Sequence, residues 1–381
     1  MKTPTFILHL LTLGFFTLGT LRAHEPDTKL GADEAPVQIA ILLDTSNSMD
    51  GLISQAKSQL WKIVNEFNHA KQGEKKPVVQ VALFEYGNDG LSMTKNYIRR
   101  VLPFTRDLDK VSEELFRLST NGGSEYCGAV IRDALDTLDW DSNAQTYKAI
   151  FIAGNEPFTQ GPVNATKACK TAIQKGIVVN TIHCGERELG ENGGWKSGAS
   201  VAEGRFFTID QDKAVAHIAA PQDTEIVRLS IELNKTYISF GAAGAPGAAN
   251  QAAQDKNADA FAAAGSSVQR ALTKTSANYK NSTWDLVDAC KKDGVKLETV
   301  REEDLPKELK DLKPEARQAY IDQKAAERQK IQTQIQELNK AREQFVAEKA
   351  KEAGKAETLD NAISTAVREQ AAKKAITFAK P

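Results

Sequence analysis

Short apolar segments alternate with segments of helical period over residues 36–235. Apolar runs rich in β-branched residues or leucine predict buried strands. These runs are Val37 to Leu43, Val78 to Phe84, Tyr97 to Phe104, Ala149 to Ala153, Ile177 to Cys184 and Arg205 to Ile209. Segments with apolar residues every three or four positions, which predict helices, are Leu52 to Phe67, Asp107 to Leu118, Tyr126 to Leu138, Pro162 to Lys175, Trp195 to Glu203, Asp212 to Ala219 and Asp223 to Asn234. The alternation predicts one α/β domain over residues 36–235, with a doubly wound, mostly parallel six-stranded sheet.

The composition changes after this domain. Residues 241–265 are rich in Ala, Gly, Gln and Asn, which fits either a flexible linker or a helix of small residues. We expect a loop followed by a helix from about Asn250 to Ala264, because Ala and Gln tolerate helices. Tyr279 and Trp284 follow, so residues 236–313 are predicted to be an extension that packs on the first domain.

Residues 314–381 form a predicted helical tail. Glu315 to Ala353 lacks proline and glycine, and its sparse apolar stripe predicts a long amphipathic helix. A helix of this kind could form a coiled coil with a second helix. A second helix is predicted from about Glu357 to Ile376, after Gly354. The simplest arrangement is a helical hairpin in which each helix buries the other's stripe. The alternative is pairing between two chains, which would make a homo-oligomer.

The amino terminus carries the pattern of an export signal. Lys2 precedes an uncharged, leucine-rich stretch, and cleavage after Ala23 would remove residues 1–23. An uncleaved membrane anchor is the alternative, because the stretch is near the minimum spanning length. No later stretch is apolar enough to insert stably in a membrane. The sequence therefore predicts a periplasmic or extracellular protein. The net charge of −1, without a basic stripe, gives no case for nucleic acid.

Oxygen-bearing side chains follow the first predicted strand. Asp44, Ser46 and Ser48 stand at alternate positions in the loop at its carboxyl end, where α/β sheets place ligand sites. One carboxylate and two hydroxyls suit Mg²⁺, Mn²⁺ or Ca²⁺ and suit Zn²⁺ poorly. The alternative is structural, with the serines capping the next helix and Asp44 in a turn.

Two further loops are predicted at the same sheet edge. One contains Gly122, Gly123 and Ser124, which a tight turn with Ser124 as a helix cap would also explain. The other begins at Gly154, where the fourth strand ends, and continues with Asn155 and Glu156.

These three segments together resemble the von Willebrand factor type A family. Asp44-x-Ser46-x-Ser48 matches the family's metal-ion-dependent adhesion motif, and Ser124 stands in a loop like the family's second metal loop, where a threonine is usual. The resemblance therefore implies Asp44, Ser46, Ser48 and Ser124 as metal ligands. The resemblance implies a site for Mg²⁺, Mn²⁺ or Ca²⁺ whose coordination is often completed by a carboxylate of a protein ligand. Gly154 replaces the family's usual aspartate, so Asn155, Glu156 or Glu125 is expected to supply a further ligand. The whole chain is also similar to exported bacterial proteins with this domain and a helical tail.

The four cysteines of the chain include none in a Cys-x-x-Cys pair, which disfavours zinc and dithiol chemistry. In an exported protein, an even number favours disulfides. The topology that the resemblance implies places Cys127 and Cys184 at one sheet edge, which suggests a Cys127–Cys184 bridge. Cys169 and Cys290 would be a second pair or small buried hydrophobes.

Three classes of function remain. The sequence favours a non-enzymatic, exported binding module whose metal site captures an acidic group of a protein partner. A metal-independent structural or scaffold protein of the envelope is the second class. A metal-dependent hydrolase is disfavoured, because no nucleophile elbow, Walker loop or His-Glu-x-x-His motif is present. His183 lies near the same edge but fits a packed residue better than a catalytic base.

Overall fold

The computed structural model describes residues 30–49, 62–209, 218–260, 265–352 and 359–378. The predicted signal segment, the start of the helix predicted from Leu52 and most of the helix predicted from Asp212 lie outside these ranges. Within them, no helix is both long and apolar enough to cross a membrane.

A six-stranded sheet forms the centre of the molecule, in the order β4-β3-β1-β5-β6-β7. Its strands are β1 (Glu34–Asp44), β3 (Lys76–Tyr86), β4 (Ile98–Thr105), β5 (Tyr147–Gly154), β6 (Val178–Cys184) and β7 (Phe206–Ile209). All neighbours pair in parallel except β4, which runs antiparallel at the edge. The predicted six-stranded, mostly parallel sheet is confirmed. The short strands β2 (Ala70–Gln72) and β8 (Ile376–Phe378) form a separate antiparallel pair.

Helices cover both faces of the sheet, as the doubly wound pattern predicts. Those of the domain are α1 (Leu108–Arg117), α2 (Cys127–Thr137), α3 (Ala165–Gln174), α4 (Arg187–Asn192) and α5 (Trp195–Val201), and residues 62–66 are also helical. Side chains alternate across β1: Val37 and Ile39 enter the core on one face, and Ala40 and Leu42 that on the other. The two cores hold the strand ends in fixed register.

The remaining helices follow the domain along the chain. They are α6 (Asp223–Asn234), α7 (Gly241–Ala260), α8 (Ser266–Lys274), α9 (Leu286–Lys292), α10 (Lys307–Lys310), α11 (Pro314–Glu352) and α12 (Leu359–Ala372). The predicted loop before Asn250 is wrong, because α7 begins at Gly241 and runs through Pro246. Small residues allow this: a Cβ on Gly247 would lie 2.3 Å from Cγ of Trp284, so the helix packs directly on the indole.

The extension contacts the first domain through buried polar groups. Tyr279 Oη donates to Asp109 Oδ2 on α1 at 2.6 Å, and Arg270 Nη1 lies 2.6 Å from Asp109 Oδ1. The backbone N–H of Val79 in β3 donates to Asn278 Oδ1 at 3.0 Å. These contacts fix the extension on one face of the sheet.

The predicted hairpin between the two tail helices is wrong. The stripe of α11 packs elsewhere: Ile331 and Ile335 lie in a cluster with residues of α6 and α8. Helix α12 instead enters the core of the first domain, where Ile363 and Val367 join residues of β1 and β3. Sequence periodicity shows that a helix has an apolar stripe but does not show which surface covers it. The first domain therefore includes a helix from near the end of the chain.

Candidate functional site

The site lies where the chain changes direction across the sheet. From β1 the chain proceeds to β3 and β4 on one side, and later to β5, β6 and β7 on the other. The loops after β1 and β5 therefore diverge, and such a switch point leaves a crevice at the carboxyl edge of the sheet. Asp44 ends β1 and Gly154 ends β5.

A chain of hydrogen bonds joins the predicted oxygen donors. The backbone N–H of Ser46 donates to Asp44 Oδ1 at 2.8 Å. Ser46 Oγ lies 2.8 Å from Ser48 Oγ, and Ser48 Oγ donates to Asn155 Oδ1 at 3.0 Å. The side chains of Ser48 and Asn155 thus link the loops after β1 and β5.

The glycine loop is tied to the loop after β1 by backbone hydrogen bonds. Asn47 N–H donates to Gly122 O at 2.8 Å, and Asn121 N–H donates to Thr45 O at 3.0 Å. This holds Glu125 over Asp44 with only 5% of its surface exposed. Gly87 makes room, since a Cβ there would lie 2.7 Å from both Asp44 Oδ1 and Glu125 Cγ, and its φ of +81° suits glycine.

The carboxyl groups of Asp44 and Glu125 are buried side by side. Asp44 is fully buried, and Asp44 Oδ2 and Glu125 Oε2 have no hydrogen-bond partner among the described residues. Burial raises the pKa of Asp44 to about 6 against the hydrogen bonds from Ser46. Burial and the neighbouring Asp44 charge raise the pKa of Glu125 to about 8. Two buried carboxylates repel each other when both are ionised, so a proton or a cation between them would stabilise the pair.

Without metal, the stability of the protein is expected to fall as pH rises. Both carboxyls have raised pKa values in the folded state, so the folded protein holds more protons than the unfolded chain between about pH 4 and pH 8. The free energy of unfolding should fall by more than about 1.4 kcal/mol across this window, the equivalent of one pKa unit. Urea unfolding in chelator at a series of pH values measures it. Glu125→Gln should flatten the slope, and an unchanged slope in that variant would contradict the assignment.

Gly154 is a site where the fold leaves no room for an aspartate. A Cβ at this position would lie 2.4 Å from Tyr86 Oη and 3.2 Å from Asp44 Oδ2. Tyr86 Oη donates to Ala153 O at 2.9 Å, and the Trp195 ring closes the same space. The carboxyl group that is buried beside Asp44 is that of Glu125 on the glycine loop.

Gly154→Ala is expected to destabilise the protein by about 1–3 kcal/mol through overpacking. The new methyl group would meet the Tyr86 hydroxyl most closely. Removing that hydroxyl in the double variant with Tyr86→Phe should therefore recover part of the lost free energy of unfolding. Chemical unfolding of the two single variants and the double variant measures the coupling, which should exceed about 0.5 kcal/mol. Strictly additive losses would mean that Tyr86 does not occupy this space.

The donor set consists of oxygen atoms only: two carboxylates, two hydroxyls and an amide carbonyl. Such a set fits Mg²⁺, Mn²⁺ or Ca²⁺, and the orphaned carboxylate oxygens are where a cation would be held. In the described ranges, no group of three or more His, Cys, Asp or Glu side chains is placed to hold a metal. A metal here would depend on hydroxyl and amide ligands beside Asp44 and Glu125.

The other candidate residues lie differently. The Ser124 hydroxyl makes no hydrogen bond to the described residues, and it does not cap α2, whose first turn follows Tyr126 without a side-chain cap. The negative charge of Glu156 acts on both Asp44 and Glu125. Its backbone carbonyl accepts from Trp195 Nε1 at 2.8 Å.

The predicted Cys127–Cys184 bridge is not formed. All four cysteines are free thiols. Cys127 belongs to the core on one face of the sheet, with its Sγ 3.6 Å from Tyr86 Oη, and Cys184 belongs to the core on the opposite face. The sheet separates the two thiols, although β6 ends and α2 begins at the same edge.

Sequence reasoning missed Tyr86 and Trp195, which shape the site without supplying a metal ligand. Tyr86 follows the predicted end of its strand by two residues, and Trp195 lies far along the chain. The glycine at position 154 was the available signal, because a glycine at a strand end often marks a close approach by another group.

Residues 38–220 match the family described as von Willebrand factor type A domain. The comparison with curated proteins found no match. The chain is similar to BatB, a conserved hypothetical protein from Bacteroides thetaiotaomicron, with 20% identity over 46% of this chain and 90% of that chain and a TM-score of 0.36. The chain is also similar to an aerotolerance-related membrane protein from Bacteroides fragilis NCTC 9343, with 21% identity over 46% of this chain and 92% of that chain and a TM-score of 0.33. A third similar structure is proximal thread matrix protein 1 from the mussel byssus, which has a zinc-occupied MIDAS motif. Its identity is 15% over 47% of this chain and 43% of that chain, with a TM-score of 0.36.

Proposed function

Because residues 38–220 of the chain are a von Willebrand factor type A domain, we propose that the protein is an exported, non-enzymatic binding module whose divalent-metal site captures a carboxylate of a protein partner. Domains of this family commonly mediate protein–protein interactions. The observation that carries the proposal is the buried pair of Asp44 and Glu125, each with an orphaned oxygen.

The proposed metal ligands are Asp44, Ser46, Ser48, Glu125 and Asn155. A divalent cation would neutralise both carboxylates and remove the repulsion between them. Such a cation supplies an electrophilic position for an incoming anion. Ser48 is exposed and Ser46 is buried, so the set opens to solvent on the side of Ser48. A partner's carboxylate would approach from that side.

Three residues keep the pair in place. Ser46 fixes one Asp44 oxygen through its backbone N–H and leaves the other directed at the cation position. Tyr86 and Trp195 close the space behind Gly154, which excludes water from that side. No nucleophile or base is assigned, because binding alone accounts for this arrangement. The export part of the proposal rests on the leader-like residues 1–23.

The proposal is tested with two fluorescent synthetic peptides that differ only in a central aspartate or asparagine. Binding to the full-length chain is measured by anisotropy in Mg²⁺ and in chelator. We expect saturable binding of the aspartate peptide in Mg²⁺ only, and its loss in Asp44→Ala with the thermal unfolding of that variant preserved. Equal binding of both peptides, or binding that survives chelator, would reject metal-dependent carboxylate capture.

A further inference from the structure

A cavity of about 310 Å³ lies near the start of the first strand, at the opposite end of the sheet from the candidate metal site. Its walls include Gln38 of β1, Gln80 of β3, Phe104 of β4 and the segment that follows α2. Gln38 precedes Asp44 by six residues in β1, which is about 20 Å along the strand. Sites for small molecules have volumes of about 300–1,000 Å³, so this cavity has room for a small ligand of its own.

Two buried glutamines line the cavity. Gln38 and Gln80 pair across β1 and β3, on the face of the sheet where Leu42 enters an apolar core. Gln38 Nε2 donates to Gln80 Oε1 at 3.0 Å and to Asp139 O at 3.2 Å. Gln38 Oε1 accepts from Asp141 N–H at 2.7 Å. One side chain therefore brings β3 and the segment after α2 together around the cavity.

The second glutamine has an unused donor. Gln80 is 4% exposed and lines the cavity. Its Oε1 accepts from Gln38, but its Nε2 donates no hydrogen bond to the described residues. A buried donor without a partner lowers stability, and a polar residue that breaks an apolar pattern is expected where it has a function. The Gln80 amide can therefore donate to an acceptor atom of a molecule in the cavity.

Charged side chains of both signs also line the cavity. Arg100 is exposed, and its Nη1 donates to Thr137 O at 2.6 Å, which holds the guanidinium beside the end of α2. Asp139 and Asp141 are the acidic lining residues. Both carboxylate oxygens of Asp141 already accept hydrogen bonds within its own loop. The exposed Asp139 is therefore the better placed of the two to accept from a ligand.

We propose that this cavity is a second binding site, which takes a free α-amino acid with an apolar side chain. Arg100 and the Gln80 amide bind the carboxylate of the ligand, Asp139 binds its ammonium group, and Phe104 and Leu138 contact its side chain. A ligand with a carboxylate alone would be repelled by Asp139. A ligand with an amine alone would leave Arg100 and Gln80 without an acceptor. A zwitterion with an apolar side chain matches all three kinds of lining residue.

The test compares L-leucine with two analogues that each lack one of its charged groups, isocaproate and isopentylamine. Binding to the full-length chain is measured by calorimetry in chelator, so that no metal at Asp44 can hold a carboxylate. We expect L-leucine to bind saturably and at least about tenfold more tightly than either analogue, because each analogue loses hydrogen bonds to a charged group. Equal binding of L-leucine and isocaproate would overturn the proposal. Absence of binding by both L-leucine and L-phenylalanine would overturn it as well.

Variants of the lining residues locate the ligand. Arg100→Met and Asp139→Asn should each weaken L-leucine binding at least about tenfold, with thermal unfolding preserved, because both residues are exposed. The matched control Arg132→Met removes an exposed cation of α2 that does not line the cavity, and it should leave the affinity unchanged. Undiminished affinity in both Arg100→Met and Asp139→Asn would place the ligand elsewhere and overturn the proposal.

Discussion

Val367→Asp, near the end of the chain, is expected to unfold the domain that begins at residue 36. Val367 on α12 is fully buried in the same core as Val37 and Ile39 of the central strand. An unpaired carboxylate at such a site should lower the free energy of unfolding by at least about 4 kcal/mol. Urea unfolding followed by tryptophan fluorescence measures the loss, because Trp195 lies in the core of the opposite face.

Thr365→Asp is the matched control, since Thr365 is exposed on the same helix. It should change the free energy of unfolding by less than about 0.5 kcal/mol. If the last part of the chain were a separate tail, Val367→Asp would leave the unfolding of the first domain unchanged. Such a result would contradict the inclusion of α12 in the domain core.

Arg328→Met is expected to cause the second large loss. Arg328 on α11 is buried, and its Nη1 lies 2.7 Å from Asp285 Oδ2 and 2.8 Å from Asp288 Oδ1. Its Nη2 also donates to Thr236 O at 2.7 Å. Methionine keeps most of the volume but leaves the fully buried Asp285 without its cation, whereas Asp288 keeps Lys292 Nζ at 3.1 Å. The loss should be about 3–5 kcal/mol.

Thermal and urea unfolding of this variant are compared with those of Lys330→Met. Lys330 is exposed on the same helix, so its loss should be close to neutral. Adding Asp285→Asn to Arg328→Met should recover part of the stability, because the charge that lost its cation is removed. Equal effects of Arg328→Met and Lys330→Met would show that the buried cluster does not hold α11.

Arg328 also shows why the sequence of the tail does not reveal which surfaces cover its helices. The mixed charges of α11 fit a solvated helix face, which is the common case for such helices. In the structure, Arg328 and Arg342 are buried, and Arg342 Nε donates to Asp223 Oδ1 at 2.7 Å. Their acidic partners lie far away in the chain, so the sequence around α11 does not reveal them.

The first domain was easier to predict, because its signals are local. The alternation of strand and helix periods predicts the sheet, and Asp44 at the end of the first strand predicts the position of the site. The hydroxyls of Ser46 and Ser48 and the amide of Asn155 do meet at that edge. The choice among Glu125, Asn155 and Glu156 stayed open in the sequence, because it depends on how the glycine loop folds over Asp44 and on the space that Tyr86 fills.

A calorimetric titration of Mg²⁺ and Mn²⁺ into the full-length protein and three variants identifies the second carboxylate of the metal site. We expect Glu125 to supply it, rather than a residue at the end of β5. We expect saturable binding by the unmodified protein, and loss of at least about a hundredfold in affinity in Asp44→Asn and in Glu125→Gln, since each removes a charged ligand. Glu156→Gln should weaken binding far less. Binding of undiminished affinity in Glu125→Gln, or loss in Glu156→Gln alone, would contradict the claim.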